Sequence, residues 1–344
     1  DRFTQFAAVA AREALIQANL DTKRGDPYRI AALIGSGIGG IITLSEQHRI
    51  LDSKGSSRVS PFLIPMMLGD MASAHISMMI GSLGPNICMV SSCSSGADAI
   101  GNAAGLINRG EMDIVLAGGS EAPICPIAVA GFGNMRALSR RNDKPQKASR
   151  PFDAERDGFV IGEGAGILVL ESHDSVLRRD VKPIAELAGY ASTSDAFHIT
   201  EPSHTGESAA KAITMALQRA DVGTTEIGYI NAHGTSTPLN DRQETLAIKL
   251  ALGKSAYDVP ISSTKSMTGH LLGAGGALEA ALCIMAIEDG IIPPTINLEN
   301  PDPQCDLDYV AEAARSKDIT TIVSNSFGFG GHNSVLIFKK PDIY

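Results

Sequence analysis

Short apolar runs and longer stretches with apolar residues at helical spacing alternate along the chain, the pattern of a layered α/β fold with mainly parallel strands. Residues 6–20 have the helical period, and RIAALIGS (29–36) is an unbroken apolar run that predicts a buried strand entering the glycine-rich turn GSGIGG (35–40). MASAHISMMIG (71–81) predicts a helix and NICMVSS (86–92) a strand, after which Cys93 opens a second helix. Strands follow at DIVLAGGSEA (113–122), GAGILVLES (164–172) and KPIAELAGYAST (182–193), with a loop-rich middle before the last two. From Gly206 the alternation resumes: helix 208–220, strand 227–234, helix 241–253, strand 260–265, helix 276–290, and strand-like segments 321–326 and 334–340. The two halves, 1–180 and 181–344, thus repeat one βα theme without an internal sequence repeat. A helix with no strand before it suggests a chain that begins late in its fold, or one from which upstream residues were removed.

Composition narrows the class. With 344 residues, 44% hydrophobic and 19% charged, the chain can bury a large core, which excludes disordered and small disulfide-stapled proteins. Its 29 basic against 38 acidic residues give a net charge of −9, without the positive field that nucleic acid or an anionic membrane would need. The five cysteines form no CxxC pair and are odd in number, so free thiols in a reducing compartment are expected. No signal peptide is apparent, and the most apolar stretch, ALEAALCIMAI, is short and carries Glu279. A soluble, cytoplasmic protein is expected.

Three places could carry chemistry. Cys93, in MVSSCSSGADAIGNAAG, lies where an apolar strand gives way to a helix, so the helix N-terminus would favour its thiolate. Taken alone it is either a nucleophile in a tight elbow or a small buried thiol. His233, in INAHGTSTP, and His270, in SSTKSMTGHLLGAGG with Lys265 five residues earlier, both stand at carboxyl ends of expected strands, where α/β folds place ligands. Glu279 could pair with Lys265 or simply face solvent. Metal-ligand spacing is absent, GSGIGG lacks the third-glycine spacing of a dinucleotide fingerprint, and no G-x-S-x-G is present. NSFGFGGHN (325–333) sets two phenylalanines among three glycines, a gate or a plain turn.

Together SCSSG at Cys93, RPFDAERDGFVIGEGAGILVLE (150–171), NAHGTSTPLND at His233, SSTKSMTGHLLGA at Lys265 and His270, and NSFGFGG resemble the elongating β-ketoacyl-acyl carrier protein synthases of type II fatty acid synthesis, over essentially the whole chain. The resemblance implies a thiolase-like, five-layer αβαβα fold of two pseudo-duplicated halves, here apparently without the first N-terminal strand, the nucleophile lying in the first half and both histidines in the second. It further implies that Cys93 takes the acyl chain, that backbone N–H groups of Cys93 and Phe329 hold the oxyanion, and that His233 and His270 promote decarboxylation of malonyl carrier protein. Lys265 would orient His270 and be tied to Glu279. Phe329 would gate the site, Ile38 would line the acyl pocket, and Arg58 and Arg136 would meet an acidic acyl carrier protein. No metal or organic cofactor is implied, and a homodimer would form through the strand before Cys93. Ser92 departs from the small apolar residue usual before the nucleophile. Two alternatives are a polyketide-type ketosynthase, whose usual HGTGT and KSNIGH read HGTSTP and KSMTGH here, and an inactive carrier-protein-binding subunit.

Overall fold

The computed structural model describes residues 1–341 and resolves them into two compact units, neither continuous in sequence. The first comprises residues 1–134, 161–179 and 271–278, and the second 135–160, 180–270 and the chain from 279 onward.

In the first unit the chain runs α1 (Arg2–Gln17), β1 (Ile30–Gly35), α2 (Ile41–Lys54), α3 (Leu63–Met67), α4 (Met71–Ile80), β2 (Asn86–Met89), α5 (Ser95–Asn108), β3 (Ile114–Glu121), α6 (Pro126–Asn134), β4 (Gly164–Glu171) and α7 (His173–Arg179). Its sheet has the order β2-β1-β3-β4, with β1 parallel to both neighbours and β4 antiparallel to β3. Every residue of β1 and β3 is buried, as an apolar run without alternation requires. Helices α1 and α4 cover the sheet through stripes four residues apart, Phe3, Ala7, Ala11 and Ala72, Ile76, Ile80, which join Ile30, Ala32, Ile34 and Leu116 in one core. Each large aliphatic side chain so buried contributes about 1.5–3 kcal/mol. Helix α5 approaches β1 so closely that a Cβ on Gly35 would lie 2.3 Å from the carbonyl carbon of Ser95, so only glycine lets the strand end beside the start of that helix.

The second unit contains β5 (Glu186–Ser194), α8 (Glu207–Arg219), β6 (Tyr229–Asn231), α9 (Pro238–Leu252), β7 (Ile261–Ser262) and α10 (Lys265–Thr268). After α11 (Gly275–Asp289), whose first turn belongs to the other unit, come β8 (Ile291–Ile292), β9 (Arg315–Ser316), β10 (Thr321–Gly328) and β11 (His332–Lys339). The order β5-β11-β10-β6-β7 combines a parallel run, β10-β6-β7, with an antiparallel one, β5-β11-β10. Ala212, Ile213, Ala216 and Leu217 of α8 pack with Ala191, Val335 and Ile337 of the sheet. Both units therefore mix parallel and antiparallel pairing in one sheet under helices, the layered α/β class expected. Among the described residues no helix is long and apolar enough to cross a membrane.

Candidate active site

Cys93 is the middle residue of a single 3₁₀ turn, Ser92–Ser94, set between β2 and α5, and is buried. Ser92 has φ +55°, the left-handed region where a side chain costs about 1–2 kcal/mol, so surrounding bonds must hold the turn. They do. Ser94 Oγ donates to the Ser91 carbonyl at 2.8 Å, Ser95 Oγ to that of Ser92 at 2.7 Å, the Ser91 N–H donates to Ser95 Oγ at 3.0 Å, and Ser91 Oγ donates to Asp98. The serine-rich composition around the thiol thus sets a sharp turn, with the thiol just ahead of a helix of 14 residues.

The second unit gathers four of the sequence candidates. His233, Lys265, His270 and Glu279 are 3%, 1%, 2% and 2% exposed, and the two imidazole rings meet edge to face with centroids 5.3 Å apart. Lys265, at the start of α10, forms a buried ion pair with Glu279 of α11, as expected. Its hydrogen bond to a histidine corrects the sequence reading: Lys265 Nζ lies 3.4 Å from His233 Nδ1, whereas His270 Nδ1 has no hydrogen-bond partner. The family resemblance implied His270, but the fold brings the ammonium to the imidazole 32 residues upstream. An ammonium has only donors, so Nδ1 of His233 must accept and the ring proton resides on Nε2, where it can hydrogen-bond to an oxygen.

Burial pushes both imidazoles well below their ordinary range, and the positive charge of Lys265 adds to that; His233 is lowered further by His270. Both rings are therefore neutral donors. Burial pushes Glu279 upward while Lys265 pulls it down. The backbone at His233 is held by a residue absent from the sequence reading: Glu244 of α9 accepts the N–H of His233 on Oε1 and that of Gly234 on Oε2, both at 2.7 Å, and Asn325 Nδ2 donates to it at 3.2 Å. Burial pushes Glu244 up to about 7. The signal existed: Asp241, Glu244, Thr245 and Ile248 share the buried face of α9, and acids on an apolar stripe call for partners. Phe327 lies against His233 with the ring planes tilted by 59° and centroids 5.8 Å apart. Phe159 meets His270 edge-on at 5.3 Å, and the His270 N–H donates to the Val160 carbonyl at 2.7 Å.

Comparison with known proteins now identifies the chain. The β-ketoacyl synthase N-terminal domain model matches residues 1–175 and the C-terminal domain model residues 184–299. The chain belongs to the β-ketoacyl synthase family. It is 52% identical over 340 residues to 3-oxoacyl-[acyl-carrier-protein] synthase 2 of Synechocystis and 50% identical to the protein of that name from Staphylococcus aureus, matching 99% of this chain and 82% of each relative. In structure it is similar to a type II polyketide ketosynthase solved with its acyl carrier protein, with TM-score 0.96, 39% identity, and 99% of this chain and 85% of that one covered. A β-ketoacyl synthase from Burkholderia phymatum matches with TM-score 0.92 and 36% identity, over 99% and 83% of the two chains. The thiolase-like fold expected of the family is thereby met.

The remaining candidates of this β-ketoacyl synthase lie at the surface or in turns. Ile38 is 36% exposed in the loop after β1, and its N–H is bound by Glu121. Arg58 ends an exposed 3₁₀ turn in the first unit, and Arg136, with φ +56°, is exposed in the second. Phe329 is half-buried in the turn joining β10 to β11. Among the described residues no group of three or more His, Cys, Asp or Glu could hold a metal ion.

Two outcomes follow from the histidine cluster. Lys265→Met should cost about 3–5 kcal/mol in urea unfolding, because it strands a buried carboxylate, and adding Glu279→Gln should recover most of that loss. The proton balance sets the second outcome. The folded imidazoles resist protonation that unfolded ones accept near 6.5, so their contribution to stability is present above that pH and is lost as pH falls below it. The buried carboxyls slope the opposite way, so the readout is the difference from a His270→Gln variant: below pH 6.5 wild type should lose about 1.4 kcal/mol per pH unit more than the variant, by denaturant titration.

Proposed function

We propose that this β-ketoacyl synthase is a 3-oxoacyl-[acyl-carrier-protein] synthase that elongates acyl chains by decarboxylative Claisen condensation. Cys93 Sγ attacks the thioester carbon of acyl carrier protein, and the carrier thiol leaves with a proton, so the acyl chain is stored on the enzyme. Backbone N–H groups of Cys93 and Phe329 hold the oxyanion of that step. Malonyl carrier protein follows: Nε2–H of neutral His233, together with His270, donates to its thioester oxygen, so the electron pair left by departing CO₂ settles as a stabilised enolate. The enolate carbon attacks acyl-Cys93, the thiolate leaves, and a 3-oxoacyl carrier protein one acetate unit longer results.

The pair of buried, neutral imidazoles 5.3 Å apart, one with its tautomer set by Lys265, is the observation that carries this reading. Full proton transfer to the thioester oxygen would need a charged imidazolium, whereas a neutral imidazole N–H stabilises an enolate by hydrogen bonding and keeps its proton. Lys265 and Glu279 then act as positioning residues, Ile38 as a wall of the acyl pocket and Phe329 as its gate. Exposed Arg58 and Arg136 suit an acidic carrier protein. The edge position of β2, with Ile87 and Val90 exposed beside it, supports pairing of two copies, and a cytoplasmic setting agrees with free thiols at Cys88, Cys125, Cys283 and Cys305.

Intact-mass analysis after incubation with acyl carrier protein tests the proposal. An acyl adduct mapped to Cys93, discharged by malonyl carrier protein as the 3-oxoacyl product, is expected; tight carrier binding with no adduct would instead make the chain a non-catalytic carrier-binding subunit. A polyketide-type ketosynthase is the second reading, favoured by the TM-score of 0.96 to such a protein; a product carrying several unreduced keto groups after repeated malonyl addition would support it.

A further inference from the structure

Glu121, the last residue of β3, is fully buried in the first unit, and no catalytic step uses it. Its carboxylate nevertheless gathers four donors from two separate loops. Oε2 accepts the N–H of Gly37 at 2.6 Å and of Gly273 at 3.0 Å; Oε1 accepts Ser36 Oγ at 2.9 Å and the N–H of Ile38 at 3.2 Å. Ser36 Oγ in turn accepts the N–H of Gly39 at 3.0 Å, so each residue from Ser36 to Gly39 is tied directly or through one hydroxyl to this side chain. The packing leaves no slack. A Cβ on Gly273 would lie 2.3 Å from the Gly37 nitrogen and 2.6 Å from Glu121 Oε2, and one on Gly37 would lie 3.4 Å from the Ser92 carbonyl oxygen. The loop bearing Ile38, the turn bearing Cys93 and the 3₁₀ turn Leu272–Ala274 therefore touch one another around this carboxylate.

Burying a carboxylate is costly, and burial does push Glu121 upward while its four donors pull it down. An apolar residue in the same space would leave those four donors without an acceptor, so it is this carboxyl group that holds them together. It fixes a loop whose Gly37, Ile38 and Gly39 N–H groups turn inward to it or to Ser36 Oγ, which leaves the Ile38 side chain to project where the backbone dictates. Resting on the elongating-synthase reading, we infer that Glu121 is the positioning residue for acyl-chain length: it clamps the loop that carries Ile38 and so sets how far that side chain intrudes on the acyl chain.

The bond pattern supplies a selective probe. In Glu121→Gln the amide nitrogen fits at the Oε1 position, where Ser36 Oγ can accept from it, and the amide oxygen keeps both Oε2 bonds. Ile38 N–H is the one backbone donor that loses its acceptor, and the Ser36 hydroxyl, now accepting from the amide, loses the acceptor of its own proton. The variant should therefore fold and still accept acyl chains on Cys93, while kcat/KM for a long straight-chain acyl carrier protein relative to a short one rises about 2- to 10-fold, the factor carried by one hydrogen bond. Hydrogen exchange should quicken in a peptide covering 36–40 and stay unchanged in one covering 271–275. Ser36→Ala, which removes one donor to Oε1 and frees Gly39 N–H, should shift the ratio in the same direction, so the inference does not depend on one variant folding. Ile38→Ala serves as the reference. If it shifts the ratio and neither Glu121→Gln nor Ser36→Ala does, the clamp is overturned and the pocket reading stands. If Ile38→Ala leaves the ratio unchanged, both fall, and absence of any acyl adduct on wild-type Cys93 would remove the synthase reading itself.

Discussion

Cys93→Ala is expected to abolish condensation, lowering product formation by at least about a thousandfold, because it removes the thiol that stores the acyl chain. Burial pushes Cys88 and Cys305 up to about 11 and Cys283 higher still, so these stay protonated and poorly nucleophilic at neutral pH. Cys93 sits in a sharp turn ahead of a helix of 14 residues. The substitution removes only sulfur from a site where hydroxyl bonds between Ser91, Ser94 and Ser95 hold the backbone, so thermal stability should change little. Intact-mass spectra after exposure to acyl carrier protein decide the matter. An adduct on the alanine protein would defeat the nucleophile assignment.

Replacing both His233 and His270 by alanine is expected to reduce CO₂ release from malonyl carrier protein by about 10²- to 10⁴-fold, the range associated with losing well-placed donors, while Cys93 still becomes acylated. The two steps separate because the histidines act on the second substrate. His233 should matter more than His270, since its tautomer is set by Lys265 and its backbone is held by Glu244, whereas His270 Nδ1 lacks a partner. Radiolabelled CO₂ release from malonyl carrier protein is the measurement, and undiminished release from the double variant would end the enolate role.

How far these features could be read from the chain depended on whether their physics was local. The strands 30–35, 114–121 and 321–328 lie where the short apolar segments put them, and the helices 71–80, 207–219 and 275–289 follow their apolar stripes. Helix α6, PIAVAGFGN, escaped notice because two glycines and an opening proline mask helical propensity, and α2 because its weak apolar stripe leaves only Thr43 buried. The chemistry divided in the same way. Cys93, His233, Lys265 and His270 stood out because each follows a strand within a run of small residues. Glu244 and Glu121 did not, since an acid in a helix or at a strand end reads as solvent-facing until its partners are placed, and those lie 10 and 152 residues away for Gly234 and Gly273. The family resemblance paired Lys265 with His270, but which imidazole the ammonium reaches is settled only by the fold, which brings it to His233.

The first unit closes only with residues 271–278, although its first sheet strands lie within the first 121 residues. During synthesis that sheet therefore emerges long before the segment carrying Gly273, which supplies one of the Glu121 bonds, has left the ribosome. At about 5–20 residues per second the nascent apolar strands wait many seconds in an incomplete unit. Shortened chains ending near residue 180 should consequently behave as sticky intermediates rather than as a free-standing domain, and efficient production of the whole molecule should draw on chaperones that shelter the growing chain.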